Sequence, residues 1–367
     1  MEELETTFCM NIAYFIASPI WGGGEQYVYD LALHVKEKGG IRLFFLFPPH
    51  SNQAMISRFT RLGECRVFPY VSKGVRFLPF SGRQLAKLLD RWQIDILHIN
   101  SRQSYFAAAW AKRFAAHPFR LIATQHLVRP AKNSALWRWA YRKIDLLIFV
   151  SDCVRRQYMA KLKDKDIFSK IAIVYNSTAI NGYEINSSPR RLNHILFHGR
   201  ICREKGIEPL FKALAMLSDL PFQMTFCGNI SPRDKDMWDK LMSTSPVRNR
   251  IRHLGFQPDM RPLLSEHGIG ILPSIVAEAG PLSIFEDMSF ALAIVTTNNG
   301  SQPEVIQNGV NGLLCSPDNP TELAAALRRL LTDPTLTQTL GERARTDFQA
   351  RYSYDRFIET MYHYYTR

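Results

Sequence analysis

Residues 271–301, which read ILPSIVAEAGPLSIFEDMSFALAIVTTNNGS, decide the fold. Residues 269–272 form an apolar run of strand length, 279–281 are the breakers Ala-Gly-Pro, and 282–292 carry apolar residues at helical spacing. The pattern predicts a helix that begins near Leu282, just beyond the carboxyl end of a buried strand. Open α/β sheets bind their ligands at this edge, and the free N–H groups of a helix start attract anions such as phosphate.

Two glutamates frame the start of this predicted helix. Glu278 lies in the loop before it, and Glu286 lies about one turn inside it. Both carboxylates can accept hydrogen bonds from hydroxyl groups, so a polyhydroxylated ligand that carries a phosphate would suit the pair. Two glutamates at this spacing can also belong to a solvated helix face, but the flanking Gly-Pro and the helix start favour a site.

The length and cysteine pattern favour a two-domain protein with reduced thiols. A chain of 367 residues is long for one core and fits two domains of about 180 residues each. Its six cysteines are scattered without paired spacing, which argues against a disulfide framework or a zinc site. The first ten residues are acidic, and no apolar run approaches the roughly 18 residues of a membrane-spanning helix. We therefore expect a cytoplasmic protein that neither crosses a membrane nor is exported by the usual route.

The net charge of +13 lies almost entirely in the first half of the chain. Residues 1–184 hold 26 Lys and Arg and 14 Asp and Glu, so 26 − 14 = +12, whereas residues 185–367 hold 20 and 19, so 20 − 19 = +1. A field of one sign steers that half towards an acidic partner, which can be an anionic membrane, a phosphorylated glycolipid or nucleic acid.

The first half alternates strands and helices, which predicts a parallel, doubly wound sheet. Its strand-like runs are 10–18, 42–47, 66–70, 95–99, 120–124, 145–150 and 171–175. The first run leads through Gly22, Gly23 and Gly24 into a helix, and these glycines allow a ligand to approach the backbone closely. A structural turn is an equally good interpretation of this loop on its own.

Two strands of this half end in a histidine, at His98 and His126. Strand ends are where α/β sheets keep functional side chains, so both are candidates, but His98 fits a buried structural residue better. The segment after His126, residues 126–149, interleaves basic residues with tryptophans, which suits a membrane interface. An ordinary surface helix with inward aromatics explains this composition equally well, and no nucleic-acid-binding module is recognisable.

The second half repeats the alternation after a linker rich in Asn, Ser and Gly at 176–191. Its predicted strands are 194–198, 223–227, 251–254, 268–272, 293–297 and 312–315. Arg200 and Lys205 flank the first loop of this half and would place two cations where a diphosphate needs neutralising, although solvated surface charges are an alternative. Two Rossmann-type sheets facing each other would form a cleft for a ligand shared by both domains.

Four motifs in order give the chain a family resemblance. They are GGGEQ near the start, TQH before mid-chain, GRICREKG after the linker, and PSIVAEAGPLSIFE followed by EVIQNGVNGLLCSPDNPTELAAAL. Together they resemble the family-four (group 1) retaining glycosyltransferases of GT-B fold, over nearly the whole chain and most strongly from His198 onward. The resemblance implies an α/β protein with two Rossmann-like domains across a cleft: an acceptor-binding domain at 1–184, a nucleotide-sugar-binding domain at 185–350, and a helix at 351–367 that crosses back to the first.

The resemblance also implies roles for individual residues. The donor diphosphate would meet the glycine loop at Gly22, Gly23 and Gly24 and be neutralised by Arg200 and Lys205. The resemblance implies that Glu278 hydrogen-bonds the sugar hydroxyls and that Glu286 holds the ribose. The amides of Gly280, Pro281 and Leu282 would bind sugar or phosphate, and His126 would lie beside the transferred sugar. Catalysis would be chiefly positioning and charge stabilisation, with no metal and no cofactor besides the nucleotide diphosphate sugar that serves as donor.

We therefore expect a cytoplasmic enzyme, peripheral at the inner face of the membrane, that glycosylates a glycan or lipid-linked acceptor of lipopolysaccharide or polysaccharide-precursor type. Two alternatives are a sugar-nucleotide epimerase of GT-B architecture, which would convert donor without acceptor, and a two-lobed sugar-binding protein without activity. The least typical part of the motif is Ala279-Gly280-Pro281, where the family commonly has glycines, and we expect the donor preference to depend on it.

Overall fold

The chain folds into two compact units. The computed structural model describes residues 10–16, 18–19, 21–68, 79–162, 167, 170–180 and 190–367. The first unit comprises Met1–Tyr175 together with Phe357–Arg367, and the second comprises Asn176–Arg356. The chain therefore enters the second unit once and returns to the first inside its C-terminal helix.

The described part of the first unit contains a seven-stranded parallel sheet, as the alternating pattern predicts. Its strands are β1 Met10–Phe15, β2 Ile41–Phe47, β3 Glu64–Val67, β4 Ile96–Ile99, β5 Arg120–Gln125, β6 Leu146–Phe149 and β7 Ile171–Ile173. Their order across the sheet is β3, β2, β1, β4, β5, β6, β7, and every pairing is parallel. This order is that of a doubly wound sheet whose loops meet at one edge. Residues 69 and 70 of the predicted third strand lie outside the described residues.

Helices connect these strands. They are α1 Gly23–Glu37, α2 Gln53–Phe59, α3 Pro79–Arg91, α4 Tyr105–Phe114, α5 Ala135–Tyr141 and α6 Asp152–Met159. The tryptophans of α5 pack inward: Trp137 lies against Phe106 with ring centroids 4.6 Å apart, and Trp139 lies against Trp110 at 4.4 Å. Of the two interpretations of this segment, an ordinary surface helix with inward aromatics is therefore the one that the packing supports.

The C-terminal helix, Tyr354–Thr366, packs into the first unit, as predicted. The hydroxyl of Tyr365 lies 3.1 Å from that of Tyr14 and 2.7 Å from Nδ1 of His98. The other ring nitrogen of His98 lies 2.7 Å from the Thr124 hydroxyl, and the side chain is fully buried. His98 is thus a structural residue that ties the helix to strands β4 and β5.

The described part of the second unit contains a six-stranded parallel sheet. Its strands are β8 Arg191–His198, β9 Gln223–Cys227, β10 Ile251–His253, β11 His267–Leu272, β12 Ala293–Thr297 and β13 Leu313–Cys315. They lie in the order β10, β9, β8, β11, β12, β13. The helices that follow are α7 Ile207–Ala215, α8 Lys235–Thr244, α9 Arg261–Glu266, α10 Leu282–Ser289, α11 Gln302–Val305, α12 Pro320–Thr332, α13 Pro334–Asp347 and α14 Tyr354–Thr366.

The stretch 271–301 folds as strand, loop and helix, with the helix start where the sequence predicts it. α10 begins at Leu282 directly after Pro281, whose extended backbone (φ −70°, ψ 123°) suits the position before a helix. It ends at Ser289, three residues before the end of the predicted run, because Phe290 leaves helical geometry and Ala291 adopts φ +56°. This early turn lets Ala293 begin β12 beside β11.

Candidate functional site

The carboxyl edge of the second sheet gathers most of the predicted donor residues. Strands β8, β11 and β12 end at this edge and α10 begins there, so the N–H of Leu282 has no acceptor within its helix. Gly280 offers a second amide just before it. Pro281 has no N–H, and the expectation that all three residues donate amides is wrong at this position. The helix start can therefore donate from Gly280 and Leu282 but not from the residue between them.

Lys205 and Glu278 form an ion pair at this edge. Nζ of Lys205 lies 2.7 Å from Oε1 of Glu278, and the Ser274 hydroxyl donates to the same oxygen at 2.5 Å. The two charged side chains are 21% and 15% exposed, so the pair is largely shielded but open to a ligand. A cation and a carboxylate held together can neutralise a phosphate and accept a hydrogen bond from a hydroxyl group at adjacent points.

Two glycines make this pairing possible. Gly206 follows Lys205 with φ +72°, and a Cβ there would collide with the carbonyl of Pro273. Gly300 has φ +64°, and a Cβ there would collide with the backbone of Glu278, whose carbonyl accepts a hydrogen bond from Ser301 N at 2.9 Å. The loops that carry the cation and the acid are therefore fixed by close backbone contacts, which a larger residue would break.

Asn176 also holds the loop before α10, and the sequence did not single it out. Its Nδ2 donates to the Gly280 carbonyl at 2.6 Å, and its Oδ1 is buried without a hydrogen-bond donor among the described residues. The position of the residue, immediately after the last strand of the first half, was interpreted only as the start of a linker. A contact across 104 residues of sequence leaves no local signal.

Arg200 stands apart from the Lys205–Glu278 pair. Its side chain is 62% exposed, and its ion contact is Glu204 at 3.9 Å, a solvent-exposed pair that contributes little to stability. Lys205 is thus the cation that the structure places against the predicted acid, whereas Arg200 remains available from a surface position.

Glu286 lies in a second charged cluster that the sequence did not predict. His198 ends β8, with its Nε2 2.9 Å from Oδ1 of Asp287 and its Nδ1 3.2 Å from Oε2 of Glu286. Burial by itself lowers the pKa of His198, but the contacts with the two carboxylates outweigh it and raise the pKa to about 10. The sequence predicts a strand that ends at His198, as the structure confirms, but it gives no sign of the two acids that lie beside this histidine.

The glycine loop and His126 belong to the first unit. Gly22 precedes α1, and Gly23 and Gly24 open it. The Glu25 carboxylate already accepts the Ser18 amide at 3.0 Å, and burial raises its pKa. One backbone amide near this helix start, that of Ser18, is therefore already hydrogen-bonded to the Glu25 carboxylate.

His126 lies directly after β5, where the strand-end argument predicted a functional side chain. Its Nε2 lies 3.1 Å from Oδ1 of Asn100, and its ring contacts that of Tyr27 with centroids 4.6 Å apart. Burial lowers the pKa of His126 to about 4, so the ring is neutral at physiological pH. A neutral imidazole can donate or accept one hydrogen bond at a ligand hydroxyl.

Among the residues that the structure describes, no cluster of three or more His, Cys, Asp and Glu side chains could hold a metal ion. None of the described helices is long and apolar enough to cross a membrane.

Comparison with known proteins places matches on both halves of the chain. The family model for "Glycosyl transferases group 1" matches residues 184–347, and that for "Glycosyltransferase Family 4" matches residues 21–179. An uncharacterised glycosyltransferase of Methanocaldococcus jannaschii is 24% identical over 286 residues, which cover 71% of this chain and 72% of the relative.

Solved structures show the same fold. A glycosyltransferase from Rickettsia africae superimposes with a TM-score of 0.85 at 19% identity, covering 97% of both chains. The Anabaena protein HepE, solved in complex with UDP and glucose, superimposes with a TM-score of 0.81 at 18% identity over 97% of this chain and 99% of its own. At such identities the likeness establishes the architecture, two Rossmann-like domains of the GT-B class.

Proposed function

Because the chain belongs to the group 1 glycosyltransferases, we propose that it transfers a sugar, with retention of anomeric configuration, from a nucleotide diphosphate sugar to a glycan or lipid-linked acceptor. The observation that carries this proposal is the Lys205–Glu278 ion pair beside the start of α10. One site there offers a cation, a carboxylate and free helix amides, which are the groups that a sugar diphosphate requires.

Each predicted residue takes a role in this proposal. Lys205 neutralises the diphosphate, with Arg200 contributing from its exposed position, and the amides of Gly280 and Leu282 bind a phosphate or sugar oxygen. Glu278 accepts hydrogen bonds from the hydroxyls of the sugar, and Glu286 accepts hydrogen bonds from those of the ribose. In the first unit, His126 contacts the transferred sugar, and the backbone of Gly22, Gly23 and Gly24 approaches the diphosphate.

The proposed reaction breaks the bond between the anomeric carbon and the diphosphate oxygen and forms one from that carbon to the acceptor oxygen. Retention follows if the acceptor attacks from the face that the diphosphate leaves, and the leaving phosphate then takes the acceptor's proton. The developing negative charge is stabilised by Lys205 and the helix amides, which act as fixed electrostatic groups. These groups do the work of a metal ion, so we propose that activity is metal-independent.

The acceptor side of the proposal rests on charge. The first 184 residues carry +12, which favours an acceptor that carries phosphate or lies in an anionic membrane surface. We propose a lipid-linked precursor of a lipopolysaccharide or polysaccharide, reached by a cytoplasmic enzyme peripheral to the inner face of the membrane. Sedimentation with anionic liposomes at low salt tests this part, and a fully soluble protein would contradict it.

Donor binding and turnover test the central proposal. A panel of nucleotide sugars is screened for thermal stabilisation of the full chain, because ligands that bind the folded state raise its melting temperature. The stabilising donor is then incubated with and without acceptor. Turnover that needs acceptor supports transfer, turnover without it indicates an epimerase, and stabilisation without turnover indicates a binding protein.

Two matched lysine variants sharpen the test. Lys205→Ala should lower kcat/KM by at least about 100-fold, since it removes a charged group from the developing charge. Lys212→Ala, on the exposed face of α7, should leave the rate unchanged. Equal rates for the two variants would contradict the assignment of Lys205 to the site. If activity is metal-independent, we expect it to be unchanged in excess EDTA.

A further inference from the structure

His198 lies between two carboxylates at the carboxyl edge of the second sheet. Its Nε2 is 2.9 Å from Oδ1 of Asp287, and its Nδ1 is 3.2 Å from Oε2 of Glu286. The exposed fractions of the three side chains are 7% for His198, 2% for Asp287 and 14% for Glu286. Asp287 is thus buried, and Glu286 is the most exposed of the three side chains.

The cluster is built by two elements that the sheet brings together. His198 is the last residue of β8, and the two acids are neighbours on α10, which follows β11. A Cβ on Gly270 in β11 would collide with the Asp287 carboxylate, so the glycine leaves the space that this acid occupies. Asp287 can therefore approach His198 only because β11 carries no side chain at that point.

Glu286 uses one of its carboxylate oxygens on His198. Within the described part of the chain, its Oε1 accepts no hydrogen bond, and an ionised carboxylate oxygen has two acceptor sites. Two neighbouring hydroxyls, such as the 2′ and 3′ hydroxyls of a ribose, could therefore share that oxygen. Oε2 of the same carboxylate forms an ion contact with Nδ1 of His198 at 3.2 Å.

We infer that His198 is a positioning residue: it holds the Glu286 carboxylate, through Oε2, in the orientation that presents Oε1 to the ribose hydroxyls of a nucleoside diphosphate. Asp287 in turn fixes the histidine ring. This inference rests on the proposed function, because it assumes that Glu286 meets the nucleotide. The groups that face the ring are the carboxylates of Asp287 and Glu286.

A second buried histidine in the same sheet provides a matched control. His267 begins β11 and contacts the Leu263 carbonyl at 2.7 Å and the Thr225 hydroxyl at 2.9 Å. Burial lowers its pKa to about 4, whereas the carboxylates raise that of His198 to about 10. We therefore expect the two rings to differ in charge at neutral pH although both are buried.

The charge of His198 can be measured without any ligand. In the full chain labelled with ¹⁵N-histidine, His198 should be protonated on both ring nitrogens at pH 8, with its signals assigned by their loss in His198→Gln. His267 should be neutral under the same conditions. A His198 ring with no proton on Nδ1 at pH 8 would overturn the inference whatever the protein's activity.

Nucleotide selectivity tests the positioning role. UDP, GDP, ADP and CDP are titrated into the wild-type protein by calorimetry, and the tightest is compared with its 2′-deoxy and 3′-deoxy forms. We expect the wild type to prefer the ribonucleotide by about 10-fold, and His198→Gln to lose that preference as Glu286→Gln does. The double variant should lose no more than either single variant, and His267→Gln should keep the preference.

The outcomes separate the inference from the proposed function. If no nucleoside diphosphate binds the wild type, donor binding fails and the nucleotide role of His198 fails with it. If the wild type binds and prefers the ribonucleotide, but His198→Gln weakens ribo and deoxy forms equally, His198 is merely structural and the inference alone is overturned.

Discussion

Removing the negative charge of Glu278 should separate nucleotide binding from sugar binding. In the structure, this carboxylate neutralises Lys205 at 2.7 Å. A diphosphate must compete with it for the same cation. Glu278→Gln releases Lys205 and removes a charge that repels phosphate, so we expect a nucleoside diphosphate to bind at least as tightly as in the wild type. Transfer should nevertheless fall by about 100-fold or more, because the sugar loses its charged hydrogen-bond acceptor.

The structure also sets the expected cost to stability. Coulomb's law at 2.7 Å and an effective dielectric constant of about 20 gives a gross attraction of about 6 kcal/mol. Desolvation offsets much of it: breaking a fully buried pair costs about 3–5 kcal/mol and breaking an exposed one about 0–1 kcal/mol. For side chains 21% and 15% exposed, we expect about 2 kcal/mol for Lys205→Met and less for Glu278→Gln, since a lysine freed from its partner can reach water.

A double-mutant cycle measures the pair directly. Calorimetric titration of UDP, GDP, ADP and CDP gives the affinities, and thermal unfolding gives the stabilities, where about 2 kcal/mol corresponds to about 4–8 °C for a unit of this size. The double variant should be more stable than the sum of the single effects predicts, by about 1–2 kcal/mol. Two outcomes would refute the argument that the two charges hold each other: single effects that add within about 0.5 kcal/mol, or a Glu278→Gln variant that loses nucleotide affinity.

Three further predictions concern the packing of each unit. Gly270→Ala should lower the free energy of unfolding by about 1–3 kcal/mol, measured by urea titration, because the added methyl group meets the Asp287 carboxylate. Burial lowers the pKa of His98 to about 3, below its ordinary value of 6.5, so the unfolded chain binds the proton first as the pH falls. The stability contributed by neutral His98 is complete above pH 6.5 and should decrease by up to about 1.4 kcal/mol per pH unit towards acid; the same titrations on His98→Gln should lack this slope. Tyr365→Phe removes the hydroxyl that lies 3.1 Å from Tyr14 and 2.7 Å from His98, and thermal unfolding should show a loss of about 1–3 kcal/mol; an unchanged melting temperature would contradict the role given to this contact.

Local patterns predicted the elements well because their causes are local. The Gly-Pro breakers and the apolar spacing after them place a helix start at Leu282, where α10 begins. The strand before His126 likewise puts that histidine at a strand end. The composition of residues 126–149 did not predict the direction of the tryptophans, because periodicity gives a face of the helix and not the neighbour that covers it.

Contacts between residues that are far apart in the chain could not be predicted from the sequence. Lys205 and Glu278 were assigned separate partners in a ligand, yet 73 residues apart they bind each other. His198 went unnoticed because its partners lie 88 and 89 positions away, and only the order β8, β11 in the sheet brings α10 beside it. The error at Pro281 was different, since its missing N–H is evident from the sequence and the resemblance alone suggested a donor there.

The contact of Tyr365 with His98 and Tyr14 has a consequence for biosynthesis. The segment Phe357–Arg367 completes the first unit, yet the ribosome makes it only after all of Asn176–Arg356. During translation, His98 and Tyr14 are therefore made before Tyr365, the residue whose hydroxyl contacts both of them. The second unit, in contrast, is continuous in sequence and can form as it emerges. The half of the protein whose synthesis begins first thus cannot be completed until residues 357–367 have been made.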